Sequence, residues 1–322
     1  MVITLTAHHF FNLEKKMELN LATKPLFKGY TDLFSYRNSL KPKLKGYRKL
    51  FMPFCYNYDP VFYGDFEECY FNHEYQPLAV IGCAIRRNWM QFHEIVNSYT
   101  IYEEEDYIET QTEFNILYNK LLRGKGERFS GEASEDQVIK LGALFYVLTR
   151  TAEFNGVLRI NDKSDFLNYW GGEVVDFHVD KNLYHYAKAF KNSVFSGMDW
   201  NYFITRYSFR ENDLDRDSVL YVHLPTLSHS HMAIRSSLNR DFHYDDLGEM
   251  ISDYLKPVYN HRRCKIILCF EVDNSPNSEG LYEDLFEKIR FEQQIDERID
   301  KYFELTKTSL STYSDFVLIE SV

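Results

Sequence analysis

The chain lacks the features that mark several large protein classes. Its five cysteines (Cys55, Cys69, Cys83, Cys264 and Cys269) form no CxxC pair and leave an odd one over. That argues against a disulfide framework and fits reduced thiols in a cytoplasmic setting. No apolar run approaches the length of a membrane span, so no membrane partner is expected. The opening MVITLTAHHFFNLEKK is broken by histidine and charge and does not read as a signal peptide. No Ser/His/Asp order, P-loop or internal repeat is present. Positive charge is also short, with 37 Lys and Arg against 48 Asp and Glu and a formal net charge of −11. A protein that lives on phosphate backbones usually carries the opposite balance, because each neutralised phosphate releases counterions. Any DNA contact here depends on local basic patches working against a repulsive field.

What the chain does have is hydrophobic and aromatic bulk. At 322 residues, 44% hydrophobic and 17% aromatic, it can bury a large core, in one domain with a lobe or in two. Residues 1–30 read as an extension. Lys49–Cys55 is a continuous apolar run ended by turn residues, the pattern of a buried strand. Glu68–His73 reads as a second strand, Pro77–Tyr99 as a helix, and Phe114–Leu122 as another. The acidic cluster Glu103–Asp106 reads as a solvated face, and Arg123–Arg128 as a basic, glycine-bearing loop tip. Leu141–Leu148 has helical spacing and leads through Phe154-Asn155-Gly156 into an extended stretch that closes on Gly171-Gly172. Asn182–Lys191 is amphipathic and precedes Val194–Trp200, a strand end. Strands are expected again at Asp217–Thr226, Cys264–Val272 and Ser314–Ile319, with a helix over Asp245–Tyr259.

One string is more specific. Thr149-Arg150-Thr151, Phe154-Asn155-Gly156, Arg159-Ile160-Asn161, Lys163 and Phe166 together resemble the helix-and-loop signature of the Dam-family DNA adenine-N6 methyltransferases (the D12 class). In that family a helix ends in a loop facing DNA. The family's other segments follow in order along residues 33–320. Ser39-Leu40, Pro42 and Leu44 match the helix start after the cofactor loop. Asn72 matches the second strand end, and Tyr221 matches the catalytic strand. Relatives of this size are often phage-encoded. The resemblance implies an α/β, Rossmann-like fold of the SAM-dependent methyltransferases with a small helical insert of DNA-recognition type. The corresponding division is an extension at 1–30, an α/β domain at 31–100 and 180–322, and the insert at 101–179.

The departures fall where chemistry should be. The cofactor loop has Ser35 for glycine and Arg37 for lysine. The first strand ends in Phe54-Cys55-Tyr56-Asn57-Tyr58 instead of a glycine turn, which would let the backbone pass close to S-adenosylmethionine (SAM). The acidic residue expected beside the adenosine is His73. The catalytic Asp-Pro-Pro-Tyr is His223-Leu224-Pro225-Thr226, with neither carboxylate nor stacking ring. Arg37, Phe54, Tyr56 and His73 are therefore read as degenerate cofactor positions, and no cofactor is expected. The residues retained, Arg150, Phe154, Asn155, Arg159, Asn161 and Lys163, are the candidates for contact with double-stranded DNA or with a protein partner. The expectation is a non-catalytic homologue that binds DNA or protein. The alternative is an active adenine methyltransferase with unorthodox motifs, which would use SAM. His223, His229, His231 and His243 with Asp245 suit a metal in residue type, but their spacing matches no helix-borne ligand pair, and none is expected.

Overall fold

In a computed structural model, the described residues are 37–55, 58–122, 133–153, 159–161, 163–172, 174, 182–211, 213–224, 250–273, 303–311 and 314–321. They form one seven-stranded sheet with helices packed against it. In chain order the elements are α1 (Arg37–Leu44), β1 (Lys49–Met52), β2 (Glu68–Asn72), α2 (Gln76–Ser98), α3 (Glu104–Leu121), α4 (Glu135–Thr151), α5 (Asn182–Ala189), β3 (Ser193–Ser196), α6 (Trp200–Thr205), β4 (Ser218–His223), α7 (Lys256–Arg262), β5 (Lys265–Asp273), β6 (Phe303–Ser311) and β7 (Ser314–Ser321). The strand order is β3-β2-β1-β4-β5-β7-β6. The first five strands pair in parallel, with Leu50 opposite Cys69 and Val219, and Phe71 opposite Phe195. β7 runs antiparallel between β5 and β6. This mostly parallel α/β sheet is compatible with a Rossmann-like fold.

Burial explains the strands. All six side chains of β4 (SVLYVH) are buried, as a central strand covered on both faces requires. Most expected elements are found, with ends shifted by a few residues. β1 stops at Met52, and Pro53–Cys55 continue as a turn at its carboxyl end. The helix expected over Asp245–Tyr259 is described from Met250, with a π-helical turn to Leu255 ahead of α7. β6 carries no apolar pattern strong enough to announce it, because it is an edge strand with alternating polar residues.

α3 and α4 share the sheet's core. α4 begins at Ser134, whose hydroxyl accepts from the Gln137 amide (3.3 Å) while the Gln137 side chain accepts from the Ser134 amide (3.1 Å), a capping box. Twelve of its residues are buried, from Val138 to Thr151, so it is covered on all sides and not amphipathic. It packs on α2 at glycine-limited distance. A Cβ on Gly142 would stand 2.7 Å from Ala84 Cβ, and one on Gly82 would stand 2.2 Å from the Phe195 ring. One contiguous cluster of buried side chains runs from Leu50 and Phe71 in the sheet through Ile81 and Leu144 to Phe114 and Phe166. α3, α4 and segment 165–168 thus share one core with the sheet. The acidic cluster at the start of α3 is also more than a solvated face. The Asp106 carboxylate accepts from the amides of Tyr102 (3.0 Å) and Glu103 (3.3 Å), closing the first turn of α3.

Candidate functional site

In a doubly wound sheet the ligand crevice lies outside the carboxyl ends of the strands, where the order reverses. Here that point is between β1 and β4, flanked by β2. The residues there are Pro53–Cys55 after β1, Asn72-His73 at the end of β2, and His223-Leu224 at the end of β4.

Asn72 ties three strand ends together. Its Nδ2 donates to the carbonyls of Pro53 (3.1 Å) and Met198 (2.9 Å). Its Oδ1 accepts from the Ser196 hydroxyl and the Met198 amide, both at 2.8 Å. The next residue, His73, is fully buried, and its Nδ1 accepts from the Tyr75 amide at 2.9 Å. Burial pushes its pKa down to about 3. His223 is 4% exposed, and burial lowers its pKa to about 4. Its Nδ1 has no hydrogen-bond partner among the described residues. At these values both imidazoles are neutral at pH 7, because burial disfavours the charged form.

Tyr58 follows the turn after β1, and its side chain lies in the core. The hydroxyl donates to the Leu78 carbonyl at 2.7 Å and lies 3.5 Å from Cys55 Sγ. The ring packs edge-on against Phe71 (5.0 Å), Phe190 (5.1 Å) and Phe195 (6.2 Å). Beside it, buried Asp59 accepts a hydrogen bond from the Tyr186 hydroxyl. Cys55 is buried, with its thiol pushed up to about 12, so it is no nucleophile at neutral pH. Phe54 packs near Trp200 (6.2 Å), which meets Tyr254 at 4.9 Å. Asp199 caps α6 by accepting from the Asn201 amide (3.1 Å). Leu224 is buried, its amide donating to Cys269 O at 2.9 Å. Tyr56, Pro225, Thr226 and the candidate metal ligands His229, His231, His243 and Asp245 lie outside the described residues, as does the side chain of Arg37.

The second candidate surface is the loop after α4. Segment 165–168 lies along α3, held by a row of side chains one helical turn apart. Tyr107 and Gln111 donate to Asn168 O (2.9 and 2.7 Å), Asn115 donates to Phe166 O (3.1 Å), and Asn119 donates to Asp165 Oδ1 (2.7 Å). Asn161 is committed internally. Its Oδ1 accepts from the Lys163 and Asp165 amides, both at 2.9 Å, and its Nδ2 donates to the Asp165 carboxylate. It shapes the turn and has little left to offer a partner. Arg159 is anchored by its amide on Asn168 Oδ1 (2.7 Å), and its guanidinium lies 4.7 Å from the centre of the Tyr169 ring, which is 61% exposed. Lys163 is exposed, and Arg150 is half-buried in the last turn of α4. Phe154 and Asn155 lie outside the described residues. Tyr169 was not among the residues singled out in the sequence. Alternation held the signal, since Phe166 and Asn168 point in while Leu167 and Tyr169 point out.

A cavity of about 320 Å³ opens beside the edge strand β3, lined among others by Tyr70, Cys83, Arg86, Arg87, Tyr207 and Glu211. It is not at the switch point between β1 and β4. Among the described residues no group of three or more His, Cys, Asp or Glu is placed to hold a metal ion, and no helix is long and apolar enough to cross a membrane. No family model matches the chain, and no curated protein matches it.

Proposed function

We propose that the chain is a non-catalytic homologue of the Dam-type DNA adenine methyltransferases that works as a binding protein. One observation carries the reading: the strand ends that should hold cofactor and base carry the chain's own buried, neutral side chains. Tyr58 stands where the resembled family has a glycine, and its phenol is committed to the core. His73 and His223 replace two carboxylates, and a neutral imidazole offers one acceptor where a carboxylate offers two oxygens. These residues do not fit SAM. The strand order, with its last strand inserted antiparallel before the sixth, supports descent from a methyltransferase fold. Scaffold retained and chemistry removed is the pattern of a pseudoenzyme.

The test is calorimetric titration with SAM, using sinefungin as a second ligand. No heat of binding is expected, and no radiolabel should pass from SAM to duplex DNA, even with His223→Asp restored. A micromolar dissociation constant for SAM, or methyl transfer by the unmodified chain, would overturn the reading in favour of an active enzyme.

The surface left for a partner is Arg159 on Tyr169, with Lys163 nearby. Duplex DNA is the partner the resemblance implies, and an Arg–guanine contact contributes about 1–3 kcal/mol of discrimination. The acidic first turn of α3 and the net charge of −11 work against it and favour a protein partner, for which exposed Tyr and Arg are suitable anchors. Duplexes of varied sequence titrated at about 50 mM salt, where phosphate contacts are strong, separate the two. Binding that weakens and loses sequence preference in Arg159→Ala assigns DNA. No binding removes it.

A further inference from the structure

The outer face of α3 carries one row of exposed side chains spaced four residues apart: Glu104, Ile108, Thr112, Ile116 and Lys120. Ile108 is 51% exposed and Ile116 65%, although Tyr107, Phe114, Tyr118 and Leu121 on the same helix are buried. Residues four apart on a helix form a continuous ridge, here about 24 Å long at 1.5 Å per residue. Two helices whose four-apart rows run alongside each other cross at about −50°.

The order of residue types along this ridge is its distinctive property. About Thr112 the row is mirror-symmetric in hydropathy and antisymmetric in charge: acid, isoleucine, threonine, isoleucine, base. We propose that this ridge is a homodimer interface, with a second copy of the chain packed antiparallel across a two-fold axis at Thr112. In that arrangement Ile108 of each copy faces Ile116 of the other, and Glu104 faces Lys120, twice by symmetry. A two-fold contact needs a self-complementary patch, and this one is. A foreign basic helix would match Glu104 but meet Lys120 as a like charge, and an acidic one would fail at the other end. Glu105 and Glu109 flank the ridge on one side only. The antiparallel arrangement sets Glu105 near Lys120 of the other copy instead of near another acid.

A single helix pair buries less than the roughly 1,200 Å² of a standard interface, so the dimer is weak and concentration-dependent. The net charge of −11 per copy opposes it, and salt screens that opposition over about 8 Å at physiological strength. The proposal stands apart from the catalytic question, since none of these residues lies at the carboxyl end of the sheet.

The experiment is sedimentation velocity on the full chain from about 1 μM to about 100 μM, a range that brackets micromolar affinity. The sedimentation coefficient should rise from monomer toward dimer across the range. Ile116→Glu should hold the chain monomeric throughout. Glu104→Lys and Lys120→Glu should each weaken the dimer about tenfold, because each turns two attractive pairs per dimer into repulsive ones. The double variant, Glu104→Lys with Lys120→Glu, should recover the parent affinity, a result that general stickiness does not produce. All these side chains are exposed, and an unchanged far-UV circular dichroism spectrum verifies the fold of each variant. A chain that stays monomeric at every concentration overturns the proposal. So does a dimer indifferent to Ile116→Glu, or a double charge variant no better than the single ones.

Discussion

Tyr58 is where the account of a closed cofactor site is most exposed to test. If its ring is part of the core, truncation opens a void among Phe71, Phe190 and Phe195 that these rings cannot refill by small shifts. Removing a buried aromatic side chain to alanine costs about 3–5 kcal/mol in transfer and cavity terms. The hydroxyl accounts for little of that. Leu78 O lies in the first turn of α2 and keeps its helical partner, so Tyr58→Phe should cost only about 1 kcal/mol. The two variants therefore separate packing from hydrogen bonding at one position. Urea unfolding followed by both circular dichroism and tyrosine fluorescence gives the free energies, provided the two transitions coincide and the slope is unchanged. If Tyr58 instead lined the mouth of a ligand crevice, truncation would be nearly neutral. A cost below about 1 kcal/mol for Tyr58→Ala, the range of surface changes, would refute the packing argument and with it the main support for a site without cofactor.

Two further outcomes follow from the same region. Asn72→Ala should destabilise the chain by about 3 kcal/mol, because buried backbone groups of Pro53 and Met198 lose their partners; a change under about 1 kcal/mol in the same unfolding assay would remove Asn72 as the cross-link of the strand ends. His73 and His223 have folded pKa values near 3 and 4, below the unfolded value of about 6.5, so the unfolded chain binds protons first as the pH falls. Stability contributed by each neutral imidazole is complete above about pH 6.5 and declines toward the folded pKa, by about 2 kcal/mol per histidine between pH 7 and pH 5. Unfolding midpoints measured over that interval should fall less steeply in His223→Gln, and an identical slope would contradict the assignment.

Most of the element order was legible in the sequence, because it is written in local periodicity. The all-buried β4 has an apolar centre, Val219–Val222, α2 has a proline in its first turn, and α4 begins next to its own capping Ser134. The departures from the resembled family's glycines and carboxylates were equally legible, since a comparison of residue types needs no coordinates. Tertiary structure alone decided where the replacements point. A tyrosine after a strand reads equally well as exposed or buried, and only the meeting of β2, β3 and the residue after α5 supplies the three phenylalanines that enclose Tyr58. The neutrality of His73 and His223 likewise comes from surroundings that are distant in sequence. That the Asn161 amide holds its own turn, and that the Arg159 guanidinium lies over the Tyr169 ring, are tertiary facts as well. The ridge on α3 is the reverse case. Its four-residue spacing is plain in the sequence, but which face of the helix the core leaves exposed depends on α4 and on segment 165–168 covering the others.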